Sequence, residues 1–175
     1  MSGAIVSLIS VAIILIGTLA MSQGALSSVD AISGSWKQAE KHTGEMRRTD
    51  LALVAASVQA GGAEVIITLE NKGDVALDNF PRWDVVVEYY EGNGNYHIRW
   101  LPYTEGAPAN NEWTVTGIYL DAQNNVPEIF EPGILNPKEQ AVLKIKLNPK
   151  VGAGSTNRAL IATPNGVVTW INFNG

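Results

Sequence analysis

The stretch that decides the fold is SGAIVSLISVAIILIGTLAMSQGAL, residues 2–26. It contains no charged side chain, and the first one in the chain is Asp30. A helix of roughly 20 apolar residues is long enough to span the hydrocarbon core of a bilayer. The stretch therefore predicts a helix whose surface has to be covered by lipid or by other protein.

Three interpretations of this helix compete. A secretory signal peptide begins with a basic region and has a shorter apolar core, whereas the first basic residue here is Lys37. A membrane anchor usually has basic residues close to its cytoplasmic end, and here they lie well beyond the apolar run. The third interpretation is a helix that passes through the membrane before assembly and is then buried among identical helices. An anchor with a helical stalk stays open beside it.

The helical pattern continues past the apolar run. Residues 1–50 contain no proline. Apolar or weakly polar side chains recur at helical spacing, with charged residues such as Asp30, Lys37 and Glu40 on the other faces; this stripe is Leu26, Val29, Ile32, Trp36, Thr43 and Met46. The pattern predicts one helix over 1–50, about 70 Å long at 1.5 Å per residue. Such a helix is apolar all round at first and on one side later.

The predicted self-assembly surface is the apolar side of this helix. Small residues along it, such as Gly3, Ala4 and Gly17, would let helix backbones approach one another closely. The side chains predicted to form the core of a helix bundle are Ile5, Leu8, Ile9, Ala12, Ile13, Leu15, Ile16, Leu19, Leu26, Val29 and Trp36.

After Asp50 the apolar period changes from about 3.6 to 2, the period of β-strands. Turn signals such as Gly61-Gly62 separate the runs; the predicted strands are LALVAASVQ, AEVIITLEN, VAL (75–77), WDVVVEYYE, YHIRWLPYT, NEWTVTGIYLDA, AVLKIKLNP, RALIATP and GVVTWINF. Short strands at regular spacing indicate an antiparallel, immunoglobulin-like β-sandwich over 51–175. The fold class is therefore α+β: a long N-terminal helix followed by a β-sandwich head.

Alternation within the strands predicts which side chains face the core. In AVLKIKL the inward set is Leu143, Ile145 and Leu147, while the intervening lysines face water. Tryptophans in the head most often mean core or inter-subunit packing; these are Trp83, Trp100, Trp113 and Trp170.

Composition excludes several classes of function. The chain has 17 acidic and 12 basic residues, a net charge of -5, which argues against nucleic-acid binding because phosphates require clustered Lys and Arg. It has no cysteine, so a disulfide framework and a thiolate metal site are both excluded.

No set of residues supports a reaction. The two histidines, His42 and His97, have no companion at metal-ligand spacing and no nucleophile motif beside them. GxGxxG, phosphate-loop and GxSxG patterns are absent. We therefore expect no enzyme activity and no catalytic, cofactor-binding or metal residue. Loop carboxylates leave a structural cation such as calcium as an alternative, although they lack EF-hand spacing.

The order of these segments resembles the archaellin family, the archaeal flagellins, within the wider type IV pilin-like group. The resemblance covers nearly the whole chain. It rests on the charge-free start, the helix to about Asp50, and three phrases of the head: ITLENKGDVALDNFPRWDVVVEYY, EPGILNPKEQAVLKIKL and TPNGVVTWINF. The first matches an N-x-G turn followed by a W/F-D-V strand, and the second matches an L-P-G-E type turn before a long strand.

This resemblance implies a structural subunit that polymerises through its N-terminal helix into an extracellular archaellum, a motility filament. Its partners would be copies of itself and other components of the filament machine. A separate motor ATPase would supply force, and the helix would lie in the membrane before assembly. The alternatives are an adhesive pilin-like pilus subunit, or a membrane-anchored stator or adhesin with a β-sandwich binding domain.

Two departures from the family pattern bear on these expectations. Family precursors carry a short basic leader, and none precedes the apolar run, so either the numbering begins at the mature end or the chain is unprocessed. Bacterial type IV pilins usually have Glu at the fifth mature position, where this chain has Ile5. If Met1 is the mature start, this difference favours the archaellin side of the group.

Overall fold

The chain folds into one long helix followed by two antiparallel β-sheets, as the sequence predicts. The computed structural model describes residues 2–175, so the predicted first helical residue, Met1, lies outside the described part. Helix α1 is Ser2–Arg48. At 47 residues it is close to the predicted length. The compact units of the chain are Met1–Gly44 and Glu45–Gly175, so the last turn of α1 belongs to the head unit.

Nine strands follow α1 in the described residues. In chain order, β1 to β9 are Leu51–Gln59, Glu64–Asn71, Asp84–Tyr90, Tyr96–Leu101, Glu112–Asp121, Val126–Pro127, Gln140–Lys146, Thr156–Ala162 and Val168–Asn174. One sheet has five strands in the order β1-β2-β7-β5-β6, and the other has four in the order β4-β3-β8-β9. All the paired strands run antiparallel. The predicted α+β fold with a β-sandwich head is confirmed.

The core lies between the two sheets and follows the predicted alternation. Leu143 and Ile145 are fully buried and Leu147 is 1% exposed, which confirms the inward set of β7. They pack in one cluster with other buried apolar side chains, among them Trp83, which directly precedes β3, and Trp113 of β5. The other two head tryptophans, Trp100 and Trp170, are exposed. Alternation alone therefore separates the two faces of a strand without showing which face is covered.

Two strand predictions differ from the structure. The expected strand 75–77 is reduced to a single bridge between Leu77 and Leu135. One reason is that the Val75 carbonyl accepts a hydrogen bond from the buried side chain of Asn71, so it is not used in a ladder. Strand β6 was not predicted, because two residues are too short to show any alternation.

Candidate assembly surface

The predicted self-assembly residues all lie on α1, and the isolated chain leaves all of them exposed. Ile13, for example, is 64% exposed and Trp36 is 74% exposed. The exposure is continuous over residues 3–43. Because exposed apolar surface on this scale is unfavourable in water, the helix requires a cover that one chain does not provide. The role of the eleven residues in assembly stays a prediction.

Helical geometry divides these residues between two faces. At 3.6 residues per turn, those from Ile5 to Leu26 share one broad side of α1. Val29 and Trp36 lie on the apolar stripe of the second half, which is rotated from that side by roughly a third of a turn. A single straight contact line along α1 would not bury both sets. Contacts with more than one neighbouring helix would bury both sets.

Six hydroxyl groups of α1 are hydrogen-bonded within the helix itself. Five serine hydroxyls donate to the carbonyl four residues earlier: Ser7 to Gly3, Ser10 to Val6, Ser22 to Thr18, Ser28 to Gly24 and Ser35 to Ala31, at 2.9–3.0 Å. Thr18 donates to Leu15 O at 3.0 Å. These six hydroxyls can therefore enter an apolar surrounding without losing their hydrogen bonds. By length and composition, Gly3–Arg48 is suited to cross a membrane.

The end of α1 is held by a turn of the head. The backbone N–H groups of Lys72 and Asp74 donate to Asp50 O and Arg48 O, both at 2.8 Å. These bonds satisfy carbonyls that a helix end would otherwise leave unpaired. A side chain at Gly73 would collide with the same segment, since its Cβ would lie 2.3 Å from Arg48 O. The N-x-G phrase singled out in the sequence is therefore the turn that receives the helix end.

Asn71 organises this turn from inside. Its side chain is fully buried, and its amide nitrogen donates to the carbonyls of Val75 (2.8 Å) and Leu135 (3.0 Å). Its amide oxygen accepts from the N–H of Gly73 at 3.1 Å. Both N–H donors and the oxygen of the amide are thus hydrogen-bonded, as burial requires.

The histidine of the head, His97, lies among packed side chains. His97 Nε2 lies 3.2 Å from Glu91 Oε2, and the imidazole stacks on the Tyr89 ring with centroids 5.2 Å apart. Among residues 2–175 no three His, Cys, Asp or Glu side chains are grouped to hold a metal ion. The histidine thus takes part in a packed aromatic pair.

The buried carboxyl groups of Glu128 and Glu139 lie in the loop region after β6. The N–H groups of Phe130 and Glu131 donate to Glu128 Oε1 at 2.5 and 3.2 Å, and the first of these holds the pKa of Glu128 below its ordinary value. Burial raises the pKa of Glu139, whose carboxylate accepts from Asn136 N at 2.8 Å. Both carboxyl groups serve loop geometry.

Two exposed side chains in this loop were not singled out by the sequence reasoning. Ile129 is 72% exposed and Phe130 is 85% exposed. The available signal was an apolar pair between Pro127 and Pro132, in a segment rich in turn residues. The same signal also suits a loop folded back on the core, so it does not identify an exposed surface.

No protein-family model and no curated protein sequence matches this chain. Solved structures do. The archaellum periplasmic stator protein FlaG from Sulfolobus acidocaldarius is 20% identical, with a TM-score of 0.50 over 71% of this chain and 99% of that one. Its complex with FlaF gives a TM-score of 0.50 and 20% identity over 70% and 87%.

The archaeal flagellum of Methanospirillum hungatei is also similar. The TM-score is 0.51 at 15% identity, over 95% of this chain and 92% of that one. Because only 5% of the chain falls outside this match, the alignment includes most of α1 as well as the head. At sequence identities this low, the structural similarity establishes a shared fold and nothing more. The resemblance to the archaellin-type fold predicted from the sequence is thereby confirmed at the level of the fold.

Proposed function

We propose that this protein is a structural subunit that polymerises through α1 into an archaellum-type motility filament. The observation that carries the proposal is the exposure of the large apolar side chains of α1, on a helix whose residues 3–43 are all exposed. Fully burying one large aliphatic or aromatic side chain is worth roughly 1.5–3 kcal/mol. Ten of the eleven predicted core residues are of this kind, so helix packing would supply a large driving force.

The likeness to the Methanospirillum flagellum supports this proposal over an isolated anchor. That likeness extends over 95% of the chain, whereas the likeness to FlaG extends over 71%. A filament subunit uses both the helix and the head. The internally paired hydroxyls of α1 fit the same use, because they can enter a dry bundle at little cost.

The proposal carries expectations for partners and location. The subunit would bind copies of itself and other components of the filament machine, with its helix in the membrane before assembly and the filament outside the cell. It would catalyse no reaction and use no cofactor of its own. A separate motor ATPase would supply the force, and a structural cation such as calcium is an alternative that metal analysis of purified protein can test.

A membrane-anchored stator is the second candidate. The observation that favours it is the match of the head to nearly the whole solved FlaG chain, 99% of it. In this case α1 would stay in lipid and the head would bind another protein. A protein that remains monomeric after transfer from detergent into lipid bilayers would favour the stator over the filament.

The test of the proposed function is a charge placed in the predicted bundle core. Ile13→Asp should abolish filaments, because an unpaired carboxylate in an apolar bundle costs several kcal/mol in every subunit. Ile13→Leu, which keeps an apolar side chain of the same size, should assemble normally. Assembly is measured by sedimentation and negative-stain electron microscopy. Normal filaments from Ile13→Asp would contradict burial of α1.

A further inference from the structure

The outer surface of the four-stranded sheet is unusually aromatic. We call the aromatic face the six large side chains that project from it: Tyr90, Tyr96, Ile98, Trp100, Val168 and Trp170, each 44–61% exposed. Trp100 and Trp170 occupy one row of the sheet, joined through Val86 and Leu160 by the strand register. With strands about 4.8 Å apart, the row is about 14 Å long.

Polar partners hold three of the six side chains of the aromatic face in place. Trp100 Nε1 donates to Asp84 Oδ1 at 2.9 Å. The Arg158 guanidinium lies 4.3 Å from the ring centroid of Trp170 and donates to Glu88 Oε2 at 2.6 Å, which also accepts from the Tyr96 hydroxyl at 3.1 Å. A surface whose side chains are already fixed loses little conformational entropy when a partner covers it.

A second apolar surface lies on the other sheet. We call residues 128–131 the edge loop, because they directly follow β6, the edge strand of the five-stranded sheet. Ile129 and Phe130 stand out from this loop, 72% and 85% exposed. The buried Glu128 carboxylate binds the N–H groups of Phe130 and Glu131. The apolar pair is therefore presented by a closed, hydrogen-bonded turn.

We infer that the edge loop of one copy of this chain docks on the aromatic face of the next copy. The aromatic face is the outer side of its sheet and points away from the sheet that carries the edge loop, and Phe130 is exposed, so neither surface covers the other within one molecule. Two different surfaces that bind each other make a heterologous contact, which repeats along an open helical polymer. The inference rests on the proposed filament and adds a head-to-head contact to it.

The aromatic face is large enough for a secondary contact between subunits. Aromatic side chains bury roughly 150–250 Å² each when fully covered, so four of them about half exposed offer roughly 400 Å², before Ile98 and Val168 are added. Specific interfaces bury about 800 Å² per partner. A contact of this size is too small to hold a dimer in isolation but is well placed to stabilise heads that the helices already hold side by side.

The absence of cysteine allows a direct test. Ile98→Cys on the aromatic face and Ile129→Cys in the edge loop together provide the only two thiols in the chain, and both isoleucines are exposed. Assembled full-length filaments are treated with a bismaleimide carrying a flexible spacer and are then run on a denaturing gel. The double variant should give a ladder of trimers and higher oligomers. Each single variant should stay monomeric, because a heterologous contact does not bring two copies of the same surface together.

A matched pair controls for chance encounters in a crowded filament. The control combines Ile129→Cys with Ser57→Cys, at an exposed position of β1, and should give no ladder. A ladder from this control, or dimers from Ile98→Cys alone, would overturn the inferred pairing, the latter by showing that aromatic faces meet each other. If the double variant forms filaments but gives no ladder, the head contact is overturned, while helix-driven assembly is left intact. If the cysteine-free chain forms no filaments, the proposed function fails and the head contact fails with it.

Discussion

Gly73 shows at the scale of one residue why a turn of the head cannot carry a side chain. Its backbone N–H donates to Asp50 O at 3.2 Å, and the position of a Cβ would lie 2.6 Å from Asp50 N. The contact is with backbone, which cannot rotate away as a side chain can. Glycine is required here by close approach of two chain segments.

Gly73→Ala should therefore destabilise the head. The added methyl group forces the turn away from the end of α1, at a cost of about 1–3 kcal/mol, typical of overpacking. Thermal unfolding of the detergent-solubilised full chain should show a melting temperature lowered by several degrees. Gly92→Ala is the matched control, since no atom lies within 4 Å of a Cβ built there. Equal stability of the two variants would contradict the account of this turn.

At the scale of elements, the edge loop depends on one buried carboxylate. The pKa of Glu128 is lowered chiefly by the N–H of Phe130. The unfolded chain therefore binds a proton more readily than the folded one as the pH falls. The stabilisation is present above the ordinary pKa of 4.5 and is lost as the pH drops through the lower folded value.

Glu128→Gln should accordingly lower the melting temperature at pH 7, because the neutral amide binds the loop N–H groups less strongly than a carboxylate does. The difference from the unsubstituted chain should shrink as the pH is lowered below about 4.5. Thermal unfolding between pH 7 and 3 measures both quantities. Glu131→Gln controls for the loss of a loop charge. A difference that stays constant with pH would rule out the proposed role of the carboxylate.

The elements of this fold differ in how far the sequence predicts them. Alternation in β7 was sufficient to predict the buried set Leu143, Ile145 and Leu147, because one face of a sheet in a sandwich is covered and the other is not. It failed for residues 75–77, where the side chain of Asn71, four residues earlier, donates a hydrogen bond to the Val75 carbonyl. It also could not identify the aromatic face, since Trp100 and Trp113 both occupy strands and only the tertiary fold decides which is buried.

At the scale of the whole molecule, the head and the helix differ in how their apolar surface is covered. The head buries its own core, while α1 leaves its apolar surface uncovered over residues 3–43. The sequence predicted the helix correctly because a charge-free run of this length has few other solutions. It could not predict the partner that covers the helix, since that depends on other molecules.

Electron cryomicroscopy of the purified full-length chain after detergent removal tests this account most directly. We expect helical filaments with closely packed α-helices at the centre and β-sandwich heads outside, with Ile13 and its neighbours on α1 enclosed by helices of other copies. Particles that stay monomeric, or that bury α1 only in detergent or lipid, would contradict the claim that this helix is a polymerisation element.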